Sequence, residues 1–259
     1  MAPLLSFIQN WENYTNRWFS IAFCLLILWL LFKVFFYLDE LKAKEAIKAL
    51  IRSFVQLILL GLVLEYILKQ DKIYLTISIL LFLTLMATYF VKKRLPFAKH
   101  DPSFLFTNFF IFLLVTPIHG VLGQMLLENK INFSAQTIIP LMGMILGNGL
   151  NGLIISYEFF EQRRTENKTE IEFYLAYGAS SFESIKVFFA QAFIKGISPI
   201  VNSLSIVGLV SLPGMMTGQI LAGTSSLQAA MYQFVIMLLV FLSISSCILI
   251  GLFFKVHRK

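Results

Sequence analysis

The sequence predicts an all-α, polytopic membrane protein with seven transmembrane helices. Three observations carry this expectation. Hydrophobic residues fill 58% of the 259 positions and charged residues only 14%, against about 25% charged in an ordinary soluble domain. The apolar residues gather into runs of roughly 20, the length that crosses a hydrocarbon core. The Lys and Arg residues cluster between alternate runs. A soluble enzyme, a nucleic-acid-binding domain and a disordered chain are excluded, because a soluble globule of this composition would expose large apolar patches. The formal charge of +7 is accordingly read as a topology signal, with the lipid bilayer and no nucleic acid as partner.

Taken in order, the runs are 18–37, 49–68, 73–91, 104–127, 138–157, 200–221 and 227–254. No Lys or Arg occurs in residues 1–16 and no small-residue cleavage site follows the first run. It is therefore expected to remain in the bilayer, not to be removed as a signal peptide. The sixth run contains Ser211-Leu-Pro-Gly214, which should break or bend a helix. Its alternative is a shorter helix followed by a re-entrant segment, 213–223, of the kind tolerated where backbone lines a cavity. The two cysteines, Cys24 and Cys247, lie inside apolar runs with no Cys/His cluster near them. They are expected to be packing residues, not metal ligands.

Placing the N-terminus outside puts all but Arg17, Lys69, Lys72 and Lys130 of the 21 Lys and Arg on the inner side. The excess predicts an N-out, C-in orientation. The whole chain, 1–259, then forms a single transmembrane domain. One long inner connection, 158–199, joins spans five and six. Its first part, to Glu172, is dense in charge and is expected to extend span five as a solvated helix, turning near Asn167. Gly178 and the small residues after it stop that helix, and Ser180 or Ser181 caps the next. The stretch 182–194 is amphipathic and is expected to lie along the membrane surface.

Glu172 followed by Gly178, Ala179, Ser180 and Glu183 resembles the cytoplasmic coupling motif of ABC transporter permeases. Two longer stretches are more specific: Ile139-Pro-Leu-Met-Gly-Met-Ile-Leu-Gly-Asn-Gly-Leu-Asn-Gly152 and Val207-Gly-Leu-Val-Ser-Leu-Pro-Gly-Met-Met-Thr-Gly-Gln-Ile-Leu-Ala-Gly223. They resemble the signature stretches of the FetB-type, iron-export ABC permeases, a family related to plant aluminium-tolerance half-transporters. Arg52 to Gln56, and Tyr232-Gln233, fit the same pattern. The resemblance implies a permease subunit in a cell membrane, paired as two permeases with two ATPase subunits. It implies export of iron or another metal ion. A sugar nucleotide or other small organic solute, or a non-transporting accessory role, is the alternative. The sequence has no G-x-x-x-x-G-K-[ST] phosphate cradle. The chain is therefore expected not to be an enzyme and to hold no cofactor, with ATP and Mg bound by a partner ATPase.

Candidate path residues follow from polarity within the spans. Arg52 and Gln56 share one helix face, and an intramembrane Arg is a functional candidate unless it snorkels to headgroups. Asn148 and Asn151 lie among Gly143, Gly147, Gly149 and Gly152, where helix packing or a dimer face is the leading reading. Asn202 begins the sixth run and Gln219 follows its break. Met142, Met144, Met215 and Met216 are read as packing residues before soft-metal ligands. Glu65 is placed at the outer interface. His119 is expected to hydrogen-bond near the Pro117 kink. No carboxylate or His cluster has metal-ligand spacing, so metal ligands stay unassigned.

Overall fold

The computed structural model describes residues 22–23, 25–30, 32–34, 36–37, 40–70, 72–95, 97, 102–128 and 134–257. It is helical throughout these elements, and the described residues hold no strand beyond an isolated bridge between Val207 and Ser211. The first predicted span, 18–37, lies partly outside the described residues, and the described positions inside it are helical. Eight further α-helices follow among the described residues. They are α1 (Glu40–Gln70), α2 (Ile73–Arg94), α3 (Pro102–Glu128), α4 (Ala135–Glu166), α5 (Lys168–Ala176), α6 (Lys186–Ile206), α7 (Gly214–Leu221) and α8 (Ser226–His257). Six of the described helices are long and apolar enough to cross a membrane.

The chain divides into two compact units, Met1–Tyr66 and Ile67–Lys259. The first holds most of α1, whose side chains Phe54, Leu57 and Leu62 are exposed in the isolated chain. Such an all-round apolar surface suits lipid or further protein, not water.

In the second unit α4 is the central helix and packs on α2, α3, α6 and α8. Ile145, Leu153, Tyr157 and Phe160 on α4 are fully buried with Phe112 of α3 and Leu239, Ile248 and Leu252 of α8. Close approach at this seam is made by small residues, as expected for helices packed in lipid. Gly149 lies against Ser243 and Cys247 of α8, and Gly152 against Ile244 of α8 and the Gly196 carbonyl of α6. Gly143 and Gly147 face open space, so the Gly-x-x-x-Gly pair is not the packing seam among the described residues of this unit. Cys247 is buried and unpaired by any disulfide, as a packing residue would be.

The sixth span departs from expectation. The long helix is α6, which starts at Lys186 and ends at Ile206. The stretch 182–194 is therefore largely the first half of that helix, not a separate element along the surface. The connection between the two spans is correspondingly shorter than 158–199. Residues 207–213 form a tight turn, with Gly208 at φ 81° and its N–H donating to the Ser211 carbonyl at 3.0 Å. Residues 214–221 form the separate helix α7. Hydropathy misplaced the span because Lys186, Gln191 and Lys195 dilute the true helix while Leu204–Leu221 is apolar but broken.

Candidate functional site

Two features of the second unit stand out, and both depend on α4. The first is an open cavity of about 540 Å³ between α2, α4, α6 and α8, lined mainly by apolar side chains with a stripe of polar ones. Asn148, Asn151 and Glu158 of α4, Arg94 of α2 and Ser203 of α6 supply its polar lining. Spacings of three and seven residues keep Asn148, Asn151 and Glu158 on one stripe of the helix. Asn148 Nδ2 donates to the Met144 carbonyl at 2.8 Å, and the Ser203 hydroxyl donates to the Pro199 carbonyl at 3.0 Å. The Ser203 hydroxyl proton is thus spent within its own helix, whereas Asn148 keeps its second amide hydrogen as well as its amide oxygen for a guest.

The cavity ends where α2 and α4 carry charge. Arg94 Nε lies 3.5 Å from Glu158 Oε1, with both side chains exposed. One turn further along α4, Glu161 Oε1 meets Lys255 Nζ of α8 at 2.9 Å, and this pair is largely buried. The Lys255 ammonium also sits 3.8 Å from the centre of the Phe97 ring and 5.7 Å from that of Phe104. A cation over aromatic faces is stabilised by the ring quadrupoles. Nearby, the buried Tyr157 hydroxyl donates to Asn108 Oδ1 at 3.2 Å.

The second feature is the segment that follows α4. Asn167 closes α4 through its N–H and its Nδ2, both donating to the Arg163 carbonyl. The Asn167 carbonyl accepts from Ile171 and starts α5 at once. α5 ends in a Schellman motif: Gly178 has φ 89°, its N–H donates to Leu175, and that of Ala179 donates to Tyr174. Only glycine takes this left-handed conformation without strain. Then comes a reciprocal capping box. The Ser180 hydroxyl and N–H donate to Glu183 Oε2 at 2.6 and 2.8 Å, and the Glu183 N–H returns a bond to Ser180 Oγ at 3.3 Å. So Ser180, not Ser181, is the cap. Glu172 is exposed and pairs loosely with Lys168 at 3.6 Å.

α5 buries none of its residues. Phe173 and Tyr174 stand exposed on it, as do Tyr177 and Phe182 in the turn that follows. The Phe173 and Tyr177 rings lie 4.5 Å apart. Sequence reasoning passed over these aromatics, although their run Phe173-Tyr-Leu-Ala-Tyr177 beside charged neighbours was the available signal.

The remaining candidates are dispersed. Arg52 and Gln56 belong to the first unit, exposed on successive turns of α1. Asn202 is exposed on α6, and its neighbour Ser203 is the one lining the cavity. Gln219 on α7 has a buried Oε1 without a hydrogen-bond partner, as does Gln233 on α8. His119 Nδ1 bonds the Val115 carbonyl at 2.8 Å across the turn containing Pro117. Among the described residues no group of three His, Cys, Asp or Glu could hold a metal ion.

Six membrane-length helices define a multi-pass membrane protein. Residues 18–258 match the family described as UPF0014, Uncharacterised protein family, and the chain belongs to it. It is 30% identical to the probable iron export permease protein FetB of Escherichia coli (strain K12) over 244 residues, which is 93% of this chain and 91% of that one. It is 31% identical to the UPF0014 membrane protein YjkA of Bacillus subtilis (strain 168), across 83% of this chain and 87% of that one. With Protein ALUMINUM SENSITIVE 3 of Arabidopsis thaliana it shares 33% identity, across 74% of this chain and 69% of the other. No solved structure matches the chain.

Proposed function

We propose that this chain is the membrane-spanning permease subunit of a cell-membrane ABC exporter, driven by a separate ATPase, and that its cargo is a metal ion such as iron. The orientation is N-out, C-in, which puts Lys92–Arg94, Arg163 and Lys255 in the cytoplasm together with α5. The observation that carries the reading is α5 itself. It leaves its aromatic side chains uncovered, is closed by hydrogen bonds at both ends, and follows the helix lining the cavity with only Asn167 between them. A solvated helix has no use for exposed aromatics, whereas a docking helix does, since aromatics dominate binding hot spots. Glu172, Gly178, Ala179, Ser180 and Glu183 are the residues that shape it. ATP and Mg are bound by the ATPase subunit, and two permeases pair with two ATPases.

The cargo class rests on relation to FetB and on chemistry. Asn148, Asn151 and Ser203 offer oxygen acceptors, and Glu158 adds a carboxylate. Oxygen donors of this kind suit a hard cation. The presence of Arg94 favours the alternative, an anionic sugar nucleotide. The test is co-expression of the chain with candidate ABC ATPases, then reconstitution of any complex in vesicles. ATP-dependent movement of ferrous ion across the vesicle supports the reading. A chain that recovers no ATPase refutes it, and ATPase stimulation by sugar nucleotides alone moves the cargo to the second class.

A further inference from the structure

α5 buries none of its residues, so its place against the bundle is set chiefly from its two ends. One end is Asn167, which follows α4 directly. The other is the turn to α6. There the capping box of Ser180 and Glu183 shapes the backbone locally, but a local box does not say where the turn sits. Position requires contact with other helices. Ile185, buried in the core, supplies one such contact where α6 begins. Phe182, inside the box itself, supplies another.

The Phe182 ring meets Phe189 of α6 edge-on, with 5.8 Å between ring centres. It lies nearly parallel to the imidazole of His257, the last residue of α8, at 6.4 Å and 25°. Phe253, one turn earlier on α8, backs that imidazole at 4.1 Å. Four rings thus run from α8 through His257 and Phe182 to α6. The exposures record this cover. Phe182 keeps 38% of its surface open, whereas Tyr177, whose ring neighbour Phe173 belongs to α5, keeps 78%. The imidazole is itself held by its own helix, since its Nδ1–H donates to the Phe253 carbonyl at 2.9 Å. A carbonyl only accepts, so Nδ1 carries the proton, and the ring cannot turn without losing that bond. α8 packs along α3 and α4, so a contact with its last turn reaches the centre of the bundle.

We propose that His257 is a positioning residue for the docking segment. Its ring, stacked against Phe182, ties the turn between α5 and α6 to the end of α8, and so sets the pose that α5 offers a partner. The proposal rests on the reading of α5 as the ATPase-docking helix, and it adds a second route inward. Displacement of the turn reaches the bundle through α8 as well as through Asn167 and α4. Rings suit such a tie because stacked and edge-on pairs prefer particular geometries.

The experiment that tests the tie needs neither cargo nor ATPase. Amide hydrogen exchange is followed at residues 178–185 of the full chain in detergent, where it reports local opening. His257→Ala is expected to speed exchange there about two- to tenfold, the range an aromatic pair contributes, and to leave α3 and α4 unchanged. Phe182→Leu keeps an apolar side chain but removes the ring, and is expected to do the same. The two together are expected to exchange no faster than either alone, because both break one contact. His257→Phe keeps a ring in place and is expected to hold the parent's rate. Unchanged exchange in His257→Ala overturns the tie. So does exchange in His257→Phe as fast as in His257→Ala, or effects that multiply in the double variant. In the complex with its ATPase, His257→Ala is expected to lower stimulation severalfold and His257→Phe to preserve it. Full stimulation in His257→Ala overturns the positioning role. Failure to recover an ATPase would leave the exchange result standing and would count against the docking reading alone.

Discussion

Gly152 and Gly196 meet backbone to backbone where α4 crosses α6. A Cβ built on Gly196 would stand 2.8 Å from the Gly152 carbonyl oxygen and 2.9 Å from Ser156 Cβ. The neighbours on that side are backbone and a packed side chain, so neither helix can yield without moving. Gly196→Ala is therefore expected to destabilise the bundle by about 1–3 kcal/mol, the usual cost of overpacking. Gly143→Ala meets nothing within 4 Å and should gain about 0.5–1 kcal/mol from better helix propensity. Thermal unfolding of both variants in the same detergent checks the contrast. A lowered midpoint for Gly143→Ala as well would place a second copy of the chain, or another partner, against that face.

The turn between α5 and α6 should behave differently. Gly178 has open space around it but a φ of 89°, so its replacement strains the backbone locally and leaves the core untouched. Removing the cap with Ser180→Ala costs about 1 kcal/mol at one helix start. Both variants are expected to keep the melting behaviour of the parent within a few degrees, because neither touches a buried side chain. Both should lose stimulation of the partner ATPase. Equal stimulation by parent and Gly178→Ala would show that the shape of this turn is not read by a partner.

The exposed aromatics supply the binding counterpart of that prediction. Tyr177→Ser and Phe173→Ser remove rings that touch each other at 4.5 Å and that no core residue covers. Folding should be unaffected. Affinity for the ATPase should fall by more than 1 kcal/mol for at least one of them, as hot-spot truncations do, measured by co-purification yield or surface binding. The exposed pair between Lys168 and Glu172 is worth about 0–1 kcal/mol at most. Lys168→Ala should therefore leave folding unchanged.

The helical class and most span positions were legible because lipid demands long apolar runs, and that demand is written locally. What was illegible needed neighbours. Asn148 and Asn151 read as packing residues from their glycine surroundings, yet Gly149 and Gly152 face α6 and α8 while both asparagines turn to the cavity. Asn202 was the more polar candidate, but the rotation of α6 gives the cavity to Ser203. Glu161 and Lys255 are far apart in sequence and carry no motif, so only the fold joins them. The start of α6 was missed because polar residues at Lys186, Gln191 and Lys195 hid a helix whose other faces are apolar.

That rotation yields the sharpest separation between path and surface. Asn148, Asn151 and Ser203 line one cavity, whereas Asn202 is exposed outside its lining. Asn148→Ala leaves the Met144 carbonyl with its helical partner, so the loss is an amide group facing the cavity and not a fold-defining bond. Transport in vesicles is expected to fall severalfold for Asn148→Ala and Asn151→Ala and less for Ser203→Ala, whose lone pairs are weaker donors to a cation than an amide oxygen. Asn202→Ala should transport like the parent. Asn151→Asp adds a negative charge to the same stripe as Glu158. It should tighten apparent affinity for a cationic cargo and slow its release, whereas an anionic cargo would be repelled and its apparent affinity lost. Dose–response curves for the four cavity and surface variants, read beside Asn151→Asp, decide both where the path runs and the sign of the charge it carries.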